Sequence, residues 1–346
     1  MSITIAAHII GKDIAQNYLY KSLLLIAKKH PDVNFLIVIE ESILCKSKNV
    51  RLANILYKNK LLLGFWHRFH LRTLLRELGA NCFITNYKLC NAKINIPQYF
   101  FINEDVSTIK KSILANIQKA NAIFVTEDFI AEQFENKIDN EKIKIVHHGL
   151  MEQAKSLNYN QKKSVQGEYA NGYDYYLFYV DTTSAKYCML VLKAFSILKK
   201  WQKTSIKLLL LLDNVAEENL ISDFNNYKYK SDVVFVNKNN ESCNALITSS
   251  FAFIYLSDYK NINNLFFALQ TKVPAIVNNT EINNSIFKKA VLYTHTNEVG
   301  IAANMQQLYK DEQLKNELQL EAVTILKKYD SNKTATVIYE TIKNNS

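Results

Sequence analysis

Histidines are the first side chains to consider, because they bind metals and carry acid-base chemistry. His67 and His70 lie three residues apart, a spacing that places two imidazoles on one helix face. No third ligand follows nearby, so the pair does not predict a metal site. His147 and His148 end a predicted strand and are interpreted as structural. No serine, histidine and aspartate fall in a pattern typical of nucleophilic catalysis.

Glycine is scarce, with only 7 residues in the chain. A loop that cradles phosphate needs several glycines close together, because the backbone must approach the phosphate and adopt positive φ angles. No two glycines here lie within four residues of each other. The sequence therefore excludes a P-loop and a G-x-G-x-x-G dinucleotide motif.

The 5 cysteines are widely spaced and form no C-x-x-C pair, so we interpret them as reduced, buried thiols. The opening run MSITIAAHII has no basic segment before it and is interrupted by His8. The longest later apolar run, 208–212, is far shorter than a bilayer requires. These features predict a cytoplasmic protein, and a peripheral position at the inner face of the membrane stays open.

A net charge of +10 predicts attraction to polyanions. The lysines are scattered and no nucleic-acid motif accompanies them, so we expect no nucleic-acid partner. One helical stretch, 66–78, carries both leucines and arginines. It is interpreted first as a core helix with a solvated basic edge, and the alternative is a helix that lies on anionic lipid. The residues concerned are Leu71, Leu74, Leu75 and Leu78, flanked by Arg68, Arg72 and Arg76.

The elements that must position any site alternate between short β-rich runs and helical patterns, which predicts an α/β protein with parallel sheets. A chain of 346 residues favours two domains. A polar stretch without apolar periodicity, 157–174, is interpreted as the linker between domains 1–156 and 175–328. The predicted strands are 3–7, 34–39, 82–85, 99–102, 122–125, 144–147, 176–180, 207–212, 233–236, 252–256, 275–277 and 291–293. The predicted helices include 13–29, 66–78, 106–120, 127–136, 297–309, 312–328 and 331–343.

Several segments together resemble glycosyltransferase family 4, whose members are retaining enzymes of the GT-B fold. The run YYLFYVDTTSAKYCMLVLKAFSILKK resembles the opening of that family's C-terminal domain, and FAFIYLSDYKNINNLFFALQTKVPAIV resembles its strand, donor loop and E-A-M-x-x-G-x-P-V-I segment. IAKKHPDVNFLIV, FVTEDFIAEQF and IKIVHHG match scaffold segments of the N-terminal domain, and KKYDSNKTATVIYETI resembles the closing helix. The resemblance implies two Rossmann-like domains facing a cleft, with the segment 329–346 packing back on the first domain.

The resemblance also marks donor-side positions, where most of the family's residues are replaced. The two glutamates that contact the donor sugar and ribose correspond to Tyr259 and Phe267, and a glycine of the donor loop corresponds to Lys260. Neither Tyr259 nor Phe267 can accept hydrogen bonds from sugar hydroxyls as a carboxylate does. The basic pair at the diphosphate corresponds to Thr182 and Lys186, so one charge of two remains.

Three further positions differ from the family pattern. Asp181 replaces a glycine and would set a carboxylate near the diphosphate. Gln16 occupies a glycine position of the first loop, and Asn103 replaces the family's acceptor-side histidine. Glu104 follows Asn103 and could supply a carboxylate on the acceptor side.

These observations predict a divergent glycosyltransferase-like protein of bacterial surface-glycan synthesis, whose usual donor residues are lost or rebuilt. The alternative is a non-catalytic scaffold or regulatory partner of an active glycosyltransferase. Whether the chain is an enzyme stays open at this stage. A nucleotide sugar and a glycan acceptor are candidate partners, and no cofactor is implied. The sequence does not identify the donor nucleotide, the sugar, the acceptor or the oligomeric state.

Overall fold

The computed structural model describes residues 3–11, 14–55, 60–90, 94–102, 111–135, 137–147, 154, 156–213, 215, 224–238, 243–257 and 262–345. The chain divides into two compact units. One comprises Met1–Met151 and Tyr329–Ser346, and the other comprises Glu152–Lys328. Each unit is built around one parallel sheet, as the alternation of strands and helices predicts.

The sheet of the first unit has the strand order β3-β2-β1-β4-β5-β6-β7. Its central strands are almost fully buried, as expected of a parallel sheet with helices on both faces. The strands are β1 Thr4–Ile9, β2 Asn34–Ile39, β3 Val50–Asn54, β4 Cys82–Thr85, β5 Gln98–Ile102, β6 Ala122–Val125 and β7 Ile143–Ile145. The helices are α1 Tyr18–Lys29, α2 Lys60–Glu77, α3 Lys111–Ile117 and α4 Asp128–Glu132.

Alternate residues of β1 contribute to two of the buried hydrophobic clusters of the first unit. Ile5 and Ala7 pack with α1, whereas Ala6 packs with Leu71 and Leu75 of α2. Leu71 and Leu75 are buried, in agreement with the interpretation of α2 as a core helix. Within the described residues, no helix combines the length and apolar character needed to cross a membrane.

The sheet of the second unit has the order β10-β9-β8-β11-β12-β13. Val191, Phe195 and Leu198 form the buried face of the helix that follows β8, as their spacing predicts. The strands are β8 Tyr175–Val180, β9 Lys207–Leu212, β10 Val233–Asn237, β11 Ala252–Tyr255, β12 Ala275–Asn278 and β13 Leu292–Thr294. The helices are α5 Tyr159–Ala170, α6 Cys188–Gln202, α7 Cys243–Ser249, α8 Ile262–Gln270, α9 Glu281–Phe287, α10 Glu298–Lys310 and α11 Glu312–Leu326.

Two buried lysines share one carboxylate at the amino end of the second sheet. Lys199 Nζ lies 2.8 Å from Asp232 Oδ2, and Lys207 Nζ lies 2.6 Å from Asp232 Oδ1. Burial alone would raise the pKa of Asp232, but hydrogen bonds and attraction from both lysines hold it below its ordinary value. The cluster joins α6, β9 and the turn before β10.

The last helix, α12 Ser331–Asn344, belongs to the first unit and packs on α1. The Tyr339 ring stacks on the His30 ring at a centroid distance of 3.8 Å. Ile338 and Ile342 enter the core that β1 and α1 share. Asp330 caps α12 by accepting a hydrogen bond from the backbone N–H of Asn332 at 2.8 Å.

Two elements were not predicted from the sequence, and a third begins later than predicted. Residues 159–170, within the expected linker, form α5, which begins with a reciprocal capping box between Asn158 and Gln161. Only Gln166 and Ala170 of α5 are buried, so the helix carries no apolar stripe that periodicity could reveal. β3 was also not predicted, because this edge strand is only half-buried and has a mixed sequence. α1 begins after Asn17, whose side chain accepts from the backbone N–H of Leu19 and Tyr20.

Candidate functional site

The carboxyl edge of the second sheet is the best candidate for a ligand site. β8 and β11 are neighbours in the sheet. The strands that follow β8 in the chain, β9 and β10, lie on one side of this pair, and those that follow β11, β12 and β13, lie on the other. Parallel α/β sheets bind ligands beyond the carboxyl ends of strands at such a reversal of strand order. The loop after β8 carries Asp181, Thr182 and Thr183, and Ser257 follows β11.

The Asp181 carboxylate closes the turn that follows β8. Its Oδ1 accepts hydrogen bonds from the backbone N–H groups of Thr183 and Ser184, both at 2.8 Å, and from Thr183 Oγ1 at 2.7 Å. Ser184 Oγ in turn accepts from the Asp181 backbone N–H at 2.9 Å and donates to the Tyr179 carbonyl at 3.1 Å. This buried carboxylate therefore directs one oxygen at the turn itself.

Thr183 links the two strands at which the order reverses. Its Oγ1 lies 2.9 Å from Ser257 Oγ. The link holds the loop after β8 against the end of β11, so two hydroxyl groups lie at this edge of the sheet. These hydroxyls can donate to or accept from a sugar or phosphate group.

The other predicted donor-side residues lie in different surroundings. Thr182 and Lys186 are exposed, and Lys186 Nζ lies 4.9 Å from the Tyr187 ring centroid. Phe267 is half-buried on α8, which leaves the carboxylate position of the resemblance apolar. Tyr259 and Lys260 lie outside the described residues.

A second polar group at this edge was missed by sequence reasoning. Tyr179 O–H donates to the Asp213 carboxylate, and Lys238 Nζ donates to Asp213 Oδ2 at 2.8 Å and lies 3.2 Å from the Tyr179 hydroxyl oxygen. Burial, and then the Asp213 carboxylate, raise the pKa of Tyr179 well above its ordinary value. Asp213 directly follows the predicted strand 207–212, and Lys238 lies two residues after the predicted strand 233–236. These positions at strand ends are the signal that could have identified them.

Cys243 lies beside this group at the start of α7. Burial raises the pKa of the Cys243 thiol, and the Lys238 ammonium partly offsets the effect. Since the thiolate is the nucleophilic form, this thiol is held in its unreactive state.

The first unit has a corresponding reversal of strand order between β1 and β4. Asn86, just after β4, bridges it: Oδ1 accepts from the Ile10 backbone N–H at 2.9 Å and Nδ2 donates to the Ile10 carbonyl at 2.8 Å. Glu41 Oε2 accepts from the Ile14 backbone N–H at 3.0 Å. Gln16 ends the short 3-10 helix at this loop. Asn103 and Glu104 lie outside the described residues.

A buried aromatic cluster lies behind this edge. The His8 ring on β1 lies 5.6 Å from both the Trp66 ring and the His67 ring, and 5.8 Å from the Tyr87 ring. Neither His8 nitrogen has a hydrogen-bond partner among the described residues. Burial and the neighbouring His67 lower the pKa of His8 to about 3, and burial lowers that of His67 to about 4. Both imidazoles are therefore neutral at physiological pH.

The His67 ring thus packs against the His8 ring, whereas His70 is exposed. Among the described residues, no three histidine, cysteine, aspartate or glutamate side chains come together in a way that could hold a metal ion.

A buried carboxylate, Glu127, follows β6. Tyr329 O–H donates to its Oε2 at 2.9 Å, and His147 Nδ1 lies 3.7 Å from the same oxygen. The hydroxyl of Thr334 donates to the His147 carbonyl at 2.7 Å. Burial raises the pKa of Glu127 despite these two neighbours. The expectation that His147 is structural agrees with its contacts to Thr334 on α12 and to Tyr329, two residues before that helix.

Solved structures with the same architecture are numerous, although no protein-family model and no curated protein matches the sequence. A glycosyltransferase from Rickettsia africae ESF-5 matches with a TM-score of 0.77 and 13% identity, over 100% of both chains. Anabaena Alr3699/HepE in complex with UDP and glucose matches with a TM-score of 0.75 and 11% identity, over 98% of this chain and 99% of that one. The chain has the GT-B fold.

WaaG, a glycosyltransferase involved in lipopolysaccharide biosynthesis, is also similar, with a TM-score of 0.68 and 13% identity over 97% of this chain and 99% of WaaG. Identities this low establish the GT-B fold and leave the activity to be argued from the site.

Proposed function

We propose that this GT-B protein is a divergent, family 4-like glycosyltransferase that takes a nucleotide sugar as donor and acts in bacterial surface-glycan synthesis. Residues 175–328 form the donor-side domain in this proposal, and residues 1–156 form the acceptor-side domain. The observation that carries it is the similarity along nearly the whole chain to GT-B structures, one of which contains UDP and glucose.

The donor site in this proposal is rebuilt from other side chains. Lys186 supplies the remaining positive charge for the diphosphate, and Thr183 and Ser257 supply hydroxyls at the strand-order reversal. The family's two sugar-contacting glutamates correspond to Tyr259 and Phe267 here, so we expect the donor sugar to be held by other polar groups. Tyr179 and Lys238 are candidates on the same edge of the sheet.

Thermal unfolding with a panel of nucleoside diphosphates and nucleotide sugars tests donor binding. A ligand at one hundred times its dissociation constant stabilises the folded state by about 2.7 kcal/mol. A domain of this size then unfolds several degrees higher, at about 2–4 °C per kcal/mol. Lys186→Gln should reduce the shift, whereas Lys193→Gln, which removes an exposed charge on α6, should not.

A transfer assay with the stabilising nucleotide sugar then tests catalysis. Absence of both a thermal shift and transfer with every nucleotide sugar would overturn the proposal. A shift that Lys193→Gln reduces as much as Lys186→Gln would show binding through general charge and not through this site.

The second candidate function is a non-catalytic scaffold or regulatory partner of an active glycosyltransferase. The apolar Phe267 and the Asp181 carboxylate favour it. Phe267 cannot accept a hydroxyl as the family's glutamate does, and Asp181 sets a negative charge near the diphosphate where the family has a glycine. This candidate predicts no nucleotide-dependent shift, together with a stoichiometric complex with an active transferase from the same organism. Analytical ultracentrifugation of the two purified proteins would detect that complex.

The basic first unit also supports peripheral contact with anionic membrane. Phe65 and Phe69 on α2 are exposed by 59% and 51%, and their ring centroids lie 4.6 Å apart. Arg76 is exposed on the same helix. Such a pair of aromatic rings inserts at an acyl boundary while cations meet anionic headgroups. Flotation with anionic vesicles should fall with salt and in the Phe65→Ser/Phe69→Ser variant; salt-independent binding would contradict this contact.

A further inference from the structure

A cavity of about 270 Å³ lies in the first unit at the amino end of its sheet. Its lining includes Thr4 at the start of β1, Leu36 on β2, Arg51 on β3 and Leu78 after α2. This is the end of the sheet opposite the carboxyl edge at which β1 and β4 diverge. The cavity therefore lies outside the site to which the proposed function refers.

Strand register places the cavity's polar and apolar walls. Leu36 pairs with Arg51, so the two side chains project from the same face of the sheet. Thr4 pairs with Asn34 at the first position of each strand. Leu36 is buried, whereas Arg51 on the edge strand β3 is exposed. The cavity thus has an apolar floor and a basic rim.

The loop that carries the second basic residue, Lys48, is held in place by Asn49. The Asn49 side-chain amide lies within hydrogen-bonding distance of three carbonyl oxygens, those of Ala27, His30 and Val33, at 2.8–3.2 Å. Its own carbonyl accepts from the Phe35 backbone N–H at 2.8 Å. Because Asn49 anchors the loop, the backbone positions from which Lys48 and Arg51 emerge are set before any ligand arrives.

The charge of the cavity is uncompensated. Within the described part of the chain, the side chains of Lys48 and Arg51 form no ion pair and no hydrogen bond, and none of the residues lining the cavity is acidic. Two cations at one concave site repel each other and attract a counter-anion. Arg presents a planar fork that matches the oxygens of a phosphate, and Lys acts as a point charge beside it.

The size of the cavity limits the ligand. A water molecule occupies about 30 Å³ of liquid, so the cavity has room for roughly nine waters. That exceeds the volume of an inorganic phosphate and falls below the 300–1,000 Å³ typical of drug-sized sites. The geometry points to a binding site for a phosphomonoester on a small polyol, held by Lys48 and Arg51, with the Thr4 hydroxyl beside them.

The same phosphomonoester occurs in a soluble metabolite and in the headgroup of phosphatidic acid, so the test needs two arms. sn-Glycerol 3-phosphate serves as the soluble probe and is titrated by calorimetry. Vesicles of phosphatidylcholine with phosphatidic acid form the lipid arm, compared with vesicles of equal charge made with phosphatidylglycerol, whose phosphate is a diester.

The decisive variant is Lys48→Gln/Arg51→Gln. Its matched control is Lys46→Gln/Lys119→Gln, which removes the same charge from exposed positions of the first unit that do not line the cavity. Each lost charge-assisted hydrogen bond weakens binding by about tenfold or more. We expect at least that loss in the Lys48/Arg51 variant and an affinity close to the unmodified protein in the control.

Each result has a defined meaning. Saturable binding of glycerol 3-phosphate that the Lys48/Arg51 variant alone loses supports the site with a soluble ligand. Vesicle binding that requires phosphatidic acid and is lost in the same variant supports it with a lipid ligand. No binding in either arm, or equal loss in the control variant, would overturn the proposal. Because this site shares no residue with the donor edge, nucleotide binding is measured separately and its failure does not bear on this result.

Discussion

Replacement of His8 by leucine should make the first unit less sensitive to acid. His8 is 0% exposed and both of its ring nitrogens lack partners among the described residues, so the leucine removes no hydrogen bond. Leucine also has a similar volume, which limits any new cavity or strain. The change therefore isolates the cost of protonating this imidazole.

The expected magnitude follows from the two lowered pKa values. The ordinary value of 6.5 falls to about 3 for His8 and to about 4 for His67. Below pH 6.5 the unfolded chain binds protons that the folded chain does not, so stability is present above that pH and is lost as the pH falls. Each pH unit costs about 1.4 kcal/mol per histidine, or about 2 kcal/mol for each at pH 5.

Together, His8 and His67 should therefore lower the free energy of unfolding of this unit by about 4 kcal/mol between pH 7 and pH 5. In the His8→Leu variant, that decrease should be about half as large. Urea unfolding at several pH values measures it. Trp66 lies against His8 and reports on the first unit, and Trp201→Phe removes the fluorescence of the tryptophan on α6. A unit-specific probe is needed because a chain with two units need not unfold in one step.

His70→Leu is the matched control, because His70 lies on the same helix as His67 but is exposed. It should leave the pH dependence of unfolding unchanged. The account of a neutral buried pair is refuted if the free energy of unfolding of His8→Leu decreases between pH 7 and pH 5 as much as that of the parent. It is also refuted if His70→Leu reduces this decrease as much as His8→Leu does.

Four other substitutions test the contacts of each unit. Asp232→Asn leaves two buried lysines without their carboxylate and should lower the unfolding free energy of the second unit by about 3–5 kcal/mol in urea titrations; a loss near zero would show that water compensates the lysines. Glu127→Gln should raise the free energy of unfolding of the first unit at pH 7. Because burial raises the pKa of Glu127, folding becomes less favourable as the pH rises and the unfolded chain ionises this carboxyl group, and glutamine removes that cost. Tyr329→Phe should instead be destabilising, because it removes the hydrogen bond to Glu127. Asn86→Ala should cost about 1–3 kcal/mol and accelerate hydrogen exchange of the Ile10 amide, and unchanged exchange there would contradict the bridge.

Much of the architecture was accessible to sequence reasoning for a local physical reason. Strands of a parallel sheet are buried on both faces, so β8 and β9 stand out as unbroken apolar runs between polar turns. Val191, Phe195 and Leu198 mark one face of α6 in the same way. Elements without such a signal were missed: α5 buries few side chains, and β3 is a half-buried edge strand.

The candidate sites depended more on the tertiary structure. The sequence shows that Asp181 and Lys186 follow a strand, but not that one oxygen of the Asp181 carboxylate binds its own turn. It also does not show that Lys238 meets Asp213, because the contact joins the ends of two adjacent strands separated by 25 positions.

The sequence by itself determined the alternating α/β pattern, the basic charge and the exclusion of glycine-rich phosphate loops. Those properties depend on composition and on neighbours along the chain. Only the tertiary structure decided that His67 pairs with His8 instead of His70, and that Lys48 and Arg51 border one cavity. Strand order and register bring such residues together, and neither can be derived from local spacing.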